Sequence, residues 1–252
     1  MRRIMLTVAY DGTDYSGWQI QPDVPTIEGI LDAELSRLLG EDIRVIGASR
    51  TDAGVHAEGA VAVFDTMSKI PGDKFSYALN QSLPDDIVIR KSEEVEGDFH
   101  PRKTNCRKTY RYSIWHDTFP MPVNSRYTHW IHTKLNTKAM SEAAAYFAGE
   151  HDFAGFCSAA ADVDSTVRTI YDIHIETQLY GTGERIDIYV TGNGFLYNMV
   201  RIIAGTLLDV GAGKILPEDI PDLIASCDRS RAGNTAPAKG LTLIGYEFEQ
   251  RQ

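Results

Sequence analysis

The 252-residue sequence is poor in cysteine: it has three, and no two of them form a C-x-x-C pair. Neither a disulfide framework nor a cysteine zinc site is therefore predicted, and reduced thiols in or near the core are expected. Long apolar runs are missing as well, so no segment is expected to cross a bilayer. The arginine-containing start lacks the apolar region of a signal peptide, which predicts a cytoplasmic protein.

Recognisable ligand patterns are also missing. No glycine-rich phosphate loop of the Walker or Rossmann type is present. His129 and His132 fit no zinc pattern. The side chains of Asp52, His56 and Glu58 are metal ligands in principle, but no second pair at ligand spacing supports them. The sequence therefore predicts no metal site.

Basic residues are in the minority, since 25 Lys and Arg face 35 Asp and Glu, for a formal net charge of -10. Taken alone, this balance argues against a nucleic-acid binder. Binding depends on local potential, however, and His100–Tyr112 contains five cations and no acid. These cations are Arg102, Lys103, Arg107, Lys108 and Arg111. The interleaved Tyr110 and Tyr112 suit stacked bases, although a solvated basic loop with both tyrosines packed along a strand is the simpler alternative.

Hydrophobic periodicity predicts two sets of elements, each in the order β-α-β-β-α-β. The first set comprises strand 4–10, helix 27–39 between Thr26 and Gly40, strand 43–46, strand 60–64, helix 73–82 and strand 87–95. The second comprises strand 107–115, helix 136–148, strands 167–177 and 185–191, helix 195–210, an extra helix 217–227 and strand 243–248. This order predicts an α+β protein with two split β-α-β halves, 1–100 and 101–252, sharing one antiparallel sheet with a cleft between them.

One loop concentrates charge between glycines: "GASRTDAGVHAEG" at Gly47–Gly59, flanked by apolar segments. Its glycines allow tight turns and close approach of a ligand. Asp52 is followed by Ala-Gly, and Arg50 is close enough in sequence to pair with it and keep it ionised. An ionised carboxylate is a nucleophile, a general base or a metal ligand. From spacing alone, a turn-capping role for Asp52 is the more frequent alternative.

This loop resembles the G-R-T-D-A-G-V-H signature of the TruA family of tRNA pseudouridine synthases. Four further segments are similar to the motifs of that family, in the same order: "YDGTDYSGWQIQ" (10–21), "FHPRKTNCRKTYRY" (99–112), "GNGFLYNMVRIIAGTLLDVG" (192–211) and "TAPAKGLTLIGYEF" (235–248). Together they span nearly the whole chain. Two positions depart from the pattern: Ser49 replaces the usual glycine, and Asn198 stands where many members have histidine.

The resemblance implies two ferredoxin-like halves that share a central antiparallel sheet. It implies isomerisation of uridine to pseudouridine at positions 38–40 of the tRNA anticodon stem-loop. It also implies a homodimer that grips one tRNA across both subunits, with no metal, no organic cofactor and no membrane attachment.

The resemblance also assigns site residues. Asp52 matches the catalytic aspartate, and Arg50 matches the arginine beside it. Tyr110 matches the tyrosine that stacks on the target base. Arg201 matches the arginine that pairs with the aspartate, and Leu241 matches an apolar residue at the pocket. The carboxylate has three possible actions: attack on the uracil ring, attack on the sugar carbon, or removal of a sugar proton to give a glycal.

Two other functions stay open from the residues. One is a tRNA-binding module without catalysis, which would require a broken active loop. The other is a hydrolase that uses Asp52, His56 and Glu58 as acid and base. Mass spectrometry of the tRNA, with a label that tags pseudouridine, separates all three functions: an isomerase forms pseudouridine with unchanged substrate mass, a hydrolase releases a product, and a binding module does neither.

Overall fold

The computed structural model describes residues 1–158 and 164–249, which fall into two structural units. The first unit comprises Met1–Cys106 and the segment that begins at Leu243, and the second comprises Arg107–Thr242. Each unit combines helices with a mostly antiparallel sheet, so the predicted α+β class is confirmed. The last strand groups with the first unit, although it follows the second unit in the chain.

The regular elements alternate along the chain. Up to the unit boundary they are β1 (Arg2–Tyr10), α1 (Ile27–Leu39), β2 (Ile46–Gly47), β3 (His56–Thr66), α2 (Phe75–Leu79) and β4 (Ile87–Val95). They continue with β5 (Cys106–His116), β6 (His129–Ile131), α3 (Thr137–Ala145), β7 (Gly149–Asp152), β8 (Val167–Tyr180), β9 (Gly183–Gly192), α4 (Met199–Gly211), α5 (Ile220–Ser226) and β10 (Leu241–Phe248). Short 3-10 turns precede α2 and α5.

The sheet of the first unit is built around β1, which pairs antiparallel with both β3 and β4, while β2 pairs antiparallel with β3. Alternate residues of β1, namely Ile4, Leu6 and Val8, have no exposed surface and form the centre of the core. Burying three such side chains contributes several kcal/mol, at roughly 1.5–3 kcal/mol each. The period of two in the sequence therefore predicted the inward face of this strand correctly.

Helix α1 has the boundaries that the sequence predicts. The Thr26 hydroxyl accepts a hydrogen bond from the Gly29 N–H (3.3 Å), which satisfies one of the free donors of the first turn. Gly40 takes a left-handed conformation (φ 65°), and its N–H donates to the Ser36 carbonyl at 2.9 Å.

Four helices, α2, α3, α4 and α5, are shorter than predicted. Asparagine accounts for the early end of α2 and for the late start of α4. Helix α2 ends before Asn80, whose side chain bonds both backbone groups of Ile89 at 2.8 and 3.0 Å instead of continuing the helix. Helix α4 begins only at Met199, because Asn198 adopts a left-handed conformation (φ 62°) that no α-helix contains.

The sheet of the second unit runs β5–β9–β8–β7 with antiparallel pairs, and β6 adds to β5 in parallel. Strands β6 and β7, of three and four residues, were not predicted, since so few residues give no visible alternation. Helix α4 is buried around most of its circumference, which explains its continuous apolar sequence. Thus α4 is a central helix of this unit.

A cross-strand ion pair gives a test of the first sheet. Arg3 and Asp65 are register partners on β1 and β3; Arg3 Nη2 lies 2.6 Å from Asp65 Oδ2, and Nη1 donates to the Phe99 carbonyl at 2.8 Å. Hydrogen bonding from Arg3 lowers the pKa of Asp65. A lowered folded-state pKa stabilises the fold above the unfolded pKa, roughly 3.9, and that stability is lost as the pH falls below it.

We therefore expect Asp65→Asn to lower the free energy of unfolding at pH 7 by about 1 kcal/mol. The difference from the wild type should shrink as the pH falls below about 4, because the unfolded wild-type chain then binds a proton at Asp65 that the folded chain, with its lowered pKa, does not yet bind. Urea unfolding across this pH range measures both effects. Asp42→Asn is the control, because the Asp42–Arg44 pair is solvated at 3.6 Å and should contribute nothing measurable. Equal effects of the two variants would contradict the assignment.

Candidate active site

The charged loop is shorter than its motif, because β3 already begins at His56. The loop proper therefore spans residues 48–55, between β2 and β3. His56 and Glu58 belong to the strand, where His56 is buried and Glu58 is exposed. Arg50 and Asp52 lie in the loop itself, with Arg50 exposed and Asp52 half-buried.

The loop is held by the segment that follows β1. The Trp18 N–H donates to the Thr51 carbonyl at 3.1 Å, and the Gly54 N–H donates to the Tyr15 carbonyl at 3.3 Å. Main-chain hydrogen bonds of this kind, in two directions, fix both position and orientation. Two of the five motifs, 10–21 and 47–59, are therefore one structural feature.

Glycines make this approach possible. A Cβ atom on Gly12 would lie 2.0 Å from the Val55 carbonyl oxygen, which leaves no space for any side chain. Gly17 has φ +88°, and a Cβ atom there would lie 2.5 Å from the Thr51 carbonyl oxygen. Both positions thus require glycine, one for space and the other for space and conformation.

The turn after Asp52 is closed by the main chain. The Val55 N–H donates to the Asp52 carbonyl at 3.1 Å, and Gly54 supplies the left-handed residue of the turn with φ +76°. The hydrogen bond between Val55 and Asp52 and the left-handed Gly54 thus form a tight turn directly after Asp52.

The entry of the loop is held by a cation from the basic stretch. Arg102 Nε donates to the Gly47 carbonyl at 2.7 Å. The Trp18 indole packs so closely on Gly47 that a Cβ atom there would lie 2.4 Å from Nε1. Arg102 is therefore part of the support of the loop, whatever else it contacts.

His56 is a structural residue of this region. Its side chain is 5% exposed, and Nδ1 accepts a hydrogen bond from the Gly12 N–H at 3.1 Å, with Asp11 Oδ1 also 3.1 Å away.

Across residues 1–158 and 164–249, no three His, Cys, Asp or Glu side chains are grouped to hold a metal ion. None of the helices described in the structure has the length and apolar character needed to cross a membrane.

In the second unit, the two tyrosines of β5 are both buried. Tyr112 has no exposed surface; its hydroxyl donates to the Pro237 carbonyl at 3.0 Å, and burial raises the pKa of its phenol. Tyr110 is 7% exposed, and its ring meets Phe195 edge-to-face at 5.3 Å between centroids. Tyr112 is thus a core residue, while Tyr110 keeps a small exposed fraction.

Arg201 lies in the first turn of α4 and is held in one orientation. Its Nε donates to the Ala236 carbonyl and its Nη1 donates to Asn198 Oδ1, both at 2.7 Å. Asn198 Nδ2 in turn donates to Ser158 Oγ at 2.9 Å. The asparagine that departs from the family pattern therefore orients the guanidinium, a role that the sequence did not reveal.

Leu241 follows a 3-10 turn, Ala238–Gly240, and is 6% exposed. Gly240 lets this turn approach the Tyr112 ring, since a Cβ atom there would lie 2.7 Å from Cζ. Of the predicted site residues, the structure thus places Arg50 and Asp52 on one loop of the first unit. Tyr110, Arg201 and Leu241 belong to the second unit.

Comparison with known proteins decides the family. The sequence profile of a family described as tRNA pseudouridine synthase matches residues 6–102 and 143–249. The chain belongs to this family. A relative named tRNA pseudouridine synthase A from Ruminiclostridium cellulolyticum is 52% identical over 97% of this chain and 98% of its own. Relatives of the same name from Brevibacillus brevis and Acetivibrio thermocellus are 50% and 48% identical, over 96% and 97% of this chain and 98% of their own.

As a member of the tRNA pseudouridine synthase family, the chain is an isomerase that converts uridine to pseudouridine in tRNA. The resemblance seen in the motifs is thereby confirmed. Among solved structures, one described as "Crystal Structure of a Cbf5-Nop10-Gar1 Complex" matches with a TM-score of 0.30 and 15% identity, over 81% of this chain and 54% of that chain. This likeness is too weak to support an argument about the synthase.

The sequence analysis missed the residues that support the loop. Tyr10 Oη lies 2.8 Å from Thr51 Oγ1, and both residues are buried, yet neither was a candidate. The sequence signal for this support was the pair Gly12 and Gly17, in a short segment that also contains Trp18. Repeated glycine beside a large ring indicates that two backbone segments approach closely.

The close approach at Gly17 gives a prediction. We expect Gly17→Ala to lower the free energy of unfolding by at least about 2 kcal/mol, since it adds left-handed strain and overlap with a carbonyl. Gly40→Ala is the control, because Gly40 also has positive φ but nothing lies within 4 Å of its Cβ position. That variant should cost only about 1 kcal/mol. Denaturant unfolding measures both, and similar losses would show that the contact with Thr51 is unimportant.

Proposed function

We propose that the enzyme acts on uridines at positions 38–40 of the tRNA anticodon stem-loop, and that Asp52 is its catalytic carboxylate. The observation that carries this proposal is the placement of Asp52, half-buried on a loop held by backbone hydrogen bonds to the segment after β1. A carboxylate must have a fixed direction to act on one atom of a flipped nucleotide. The motif resemblance over residues 47–59 supports the same assignment.

The bonds and protons of this isomerisation balance without a cofactor. The bond between C1′ of the ribose and N1 of uracil breaks, and a bond between C1′ and C5 forms. C5 loses a proton and N1 gains one, so the mass of the RNA is unchanged. An ionised Asp52 serves each of three routes: attack on the ring, attack on C1′, or removal of a sugar proton to give a glycal.

Tyr110 is proposed to stack on the target base. The uracil must be held after it leaves the sugar, and an aromatic face retains it without a directional bond. The edge-to-face contact with Phe195 at 5.3 Å restricts the Tyr110 ring, which supports a fixed stacking platform. The low exposure of this ring also fits a flipped base entering a narrow pocket.

Arg201, Arg50 and Leu241 are proposed to complete substrate binding. Two of the Arg201 donors are already engaged at 2.7 Å, which fixes the guanidinium plane before substrate arrives. Arg50 is exposed on the same loop as Asp52, and it is proposed to fill the space that the flipped uridine leaves in the stem. Leu241 supplies an apolar wall.

We also propose a ferredoxin-like architecture for both halves, with a shared sheet, and a homodimer in the cytoplasm. Support for the first half comes from its strand pairing: β1 lies between β3 and β4, and β2 pairs with the other side of β3. All of these pairs are antiparallel, as a split β-α-β arrangement requires. The dimer and the location rest on family resemblance.

The tRNA contacts are proposed to include the exposed cations of the basic stretch. Lys103 is exposed, and Arg107 lies over the ring of exposed Tyr171 at 4.7 Å from the ring centroid. Arg111 is different, since only 19% of its side chain is exposed and its Nε lies 4.0 Å from Asp187 Oδ1. Arg102 supports the loop entry. The phosphate contacts are therefore assigned to Lys103 and Arg107.

Substitution of the carboxylate tests the catalytic assignment. We expect Asp52→Asn to reduce pseudouridine formation at least about a hundred-fold, because the amide neither attacks nor removes a proton. Binding of tRNA should persist, since phosphate contacts elsewhere supply most of the affinity. Mass spectrometry of tRNA with a label that tags pseudouridine measures the product.

Glu58→Gln is the matched control, because Glu58 is an exposed carboxylate just after the loop. It should retain full activity. An equal loss of pseudouridine with Glu58→Gln would show that the effect of Asp52→Asn is not specific to that carboxylate. A folded, tRNA-binding Asp52→Asn protein that forms pseudouridine at the normal rate would refute the role of Asp52.

Salt dependence tests the phosphate contacts. Lys103→Ala and Arg107→Ala should each weaken tRNA binding and reduce the slope of log affinity against log salt by about one. Lys138→Ala is the control, because this exposed lysine of α3 lies outside the basic stretch and should leave the slope unchanged. Filter binding from low to moderate salt gives the slopes. Unchanged slopes for the two variants would mean that these side chains do not contact the RNA.

A further inference from the structure

Exposure alternates along the centre of the loop. Arg50 is exposed, Thr51 is 7% exposed, and Asp52 is half-buried. Thr51 is thus the most buried of the three and lies between the two charged residues. Whatever fixes Thr51 also fixes the direction of its neighbours, because one planar peptide bond joins it to Asp52.

Thr51 is fixed through both its side chain and its main chain. Its Oγ1 lies 2.8 Å from the Tyr10 hydroxyl in a buried environment, and its carbonyl accepts from the Trp18 N–H at 3.1 Å. Tyr10 is itself rigid: it ends β1 and is the register partner of Ala57 on one side and Ile87 on the other. The hydroxyl contact therefore ties the loop to the central strand of the sheet.

A second phenol lies beside the residue that precedes Arg50. Burial raises the pKa of Tyr246, on β10, and its interaction with the Ser49 side chain opposes that rise. The glycine usual at this position in the family has no hydroxyl. Phenols from β1 and β10 are therefore placed against the residues on both sides of Arg50.

We infer that Tyr10 and Thr51 form a positioning pair that aims the Asp52 carboxylate at the reacting uridine. This inference rests on the proposed catalytic role of Asp52. A misplacement of about 1 Å costs roughly a hundred-fold in rate when the reacting group must meet one atom. The pair acts through Asp52 and does not itself touch the substrate.

A buried pair of hydroxyls has a characteristic response to mutation. Removal of one hydroxyl leaves the other without its partner in an apolar setting, which favours a shift of the loop. Removal of both leaves two apolar groups that pack against each other. The two single variants and the double variant therefore form a cycle in which the effects of a coupled pair do not add.

Single-turnover kinetics with saturating enzyme test the inference. Tyr10→Phe and Thr51→Val should each lower the rate of pseudouridine formation about 10- to 100-fold, while the affinity for tRNA changes less than about twofold. Thr51→Ser keeps the hydroxyl and should stay within about threefold of the wild type. The double variant should be no slower than the slower single variant.

Tyr15→Phe is the matched control. It removes a phenol hydrogen bond of 2.7 Å from the same segment, but that bond ends on Asp86, outside the loop. Its rate should match the wild type even if its melting temperature falls. Hydrogen exchange gives a second readout: Tyr10→Phe should speed exchange of the Val55 amide, which bonds the Asp52 carbonyl, and Tyr15→Phe should not.

The outcomes separate the two proposals. Rates within threefold of the wild type for folded Tyr10→Phe and Thr51→Val would overturn the positioning role, and so would weaker tRNA binding in place of slower chemistry. If one of these variants is unfolded at the assay temperature, the rate of the other and the exchange of its Val55 amide decide. An active Asp52→Asn enzyme would overturn the catalytic assignment itself, whatever the behaviour of Tyr10.

Discussion

The close contact between the segment after β1 and the loop 48–55 is the constraint on which the rest of the site depends. The contact exists because Gly12 and Gly17 have no Cβ atom. A Cβ atom at either position would lie within van der Waals overlap of a backbone carbonyl oxygen of the loop. Hydrogen bonds from Trp18 and Gly54 then use this proximity. Without it, Asp52 would lie on a solvated loop of eight residues with many orientations, and its carboxylate would have no preferred target.

In the second unit, hydrogen bonds likewise hold a proposed site residue in one orientation. Arg201 is oriented by Asn198, and Asn198 is held by Ser158 and by its own left-handed backbone. Ser49 and Asn198, the two departures from the motifs that the sequence resembles, thus lie next to proposed site residues: Ser49 precedes Arg50, and Asn198 accepts a hydrogen bond from Arg201. Substitution at these places changes the support of the site while the groups proposed to act on the substrate stay the same.

Periodicity predicted the long elements of the fold well, while short strands and local polar chemistry account for several of the errors. The long strands β1, β5, β8 and β9 have clear alternation, and Thr26 and Gly40 are strong end signals for α1. Asn80 and Asn198 shortened two helices through side-chain and backbone preferences that hydrophobic spacing does not record. Asp52 was selected through its motif, and its catalytic role stays a prediction. Tyr10 and Thr51 were not selected, because a contact between residues 41 positions apart has no local signature.

The first unit is formed by two separate parts of the chain, so it cannot be completed until the second part has been synthesised on the ribosome. Its final strand, β10, neighbours β3 and brings Tyr246 to the loop, yet it is translated after the entire second unit. A nascent chain in which Asp52 has already been synthesised therefore lacks one wall of the loop until β10 has been translated. The order of translation thus delays the finished site until the whole second unit has been made, so that a product terminated before β10 contains the motif but not its full support.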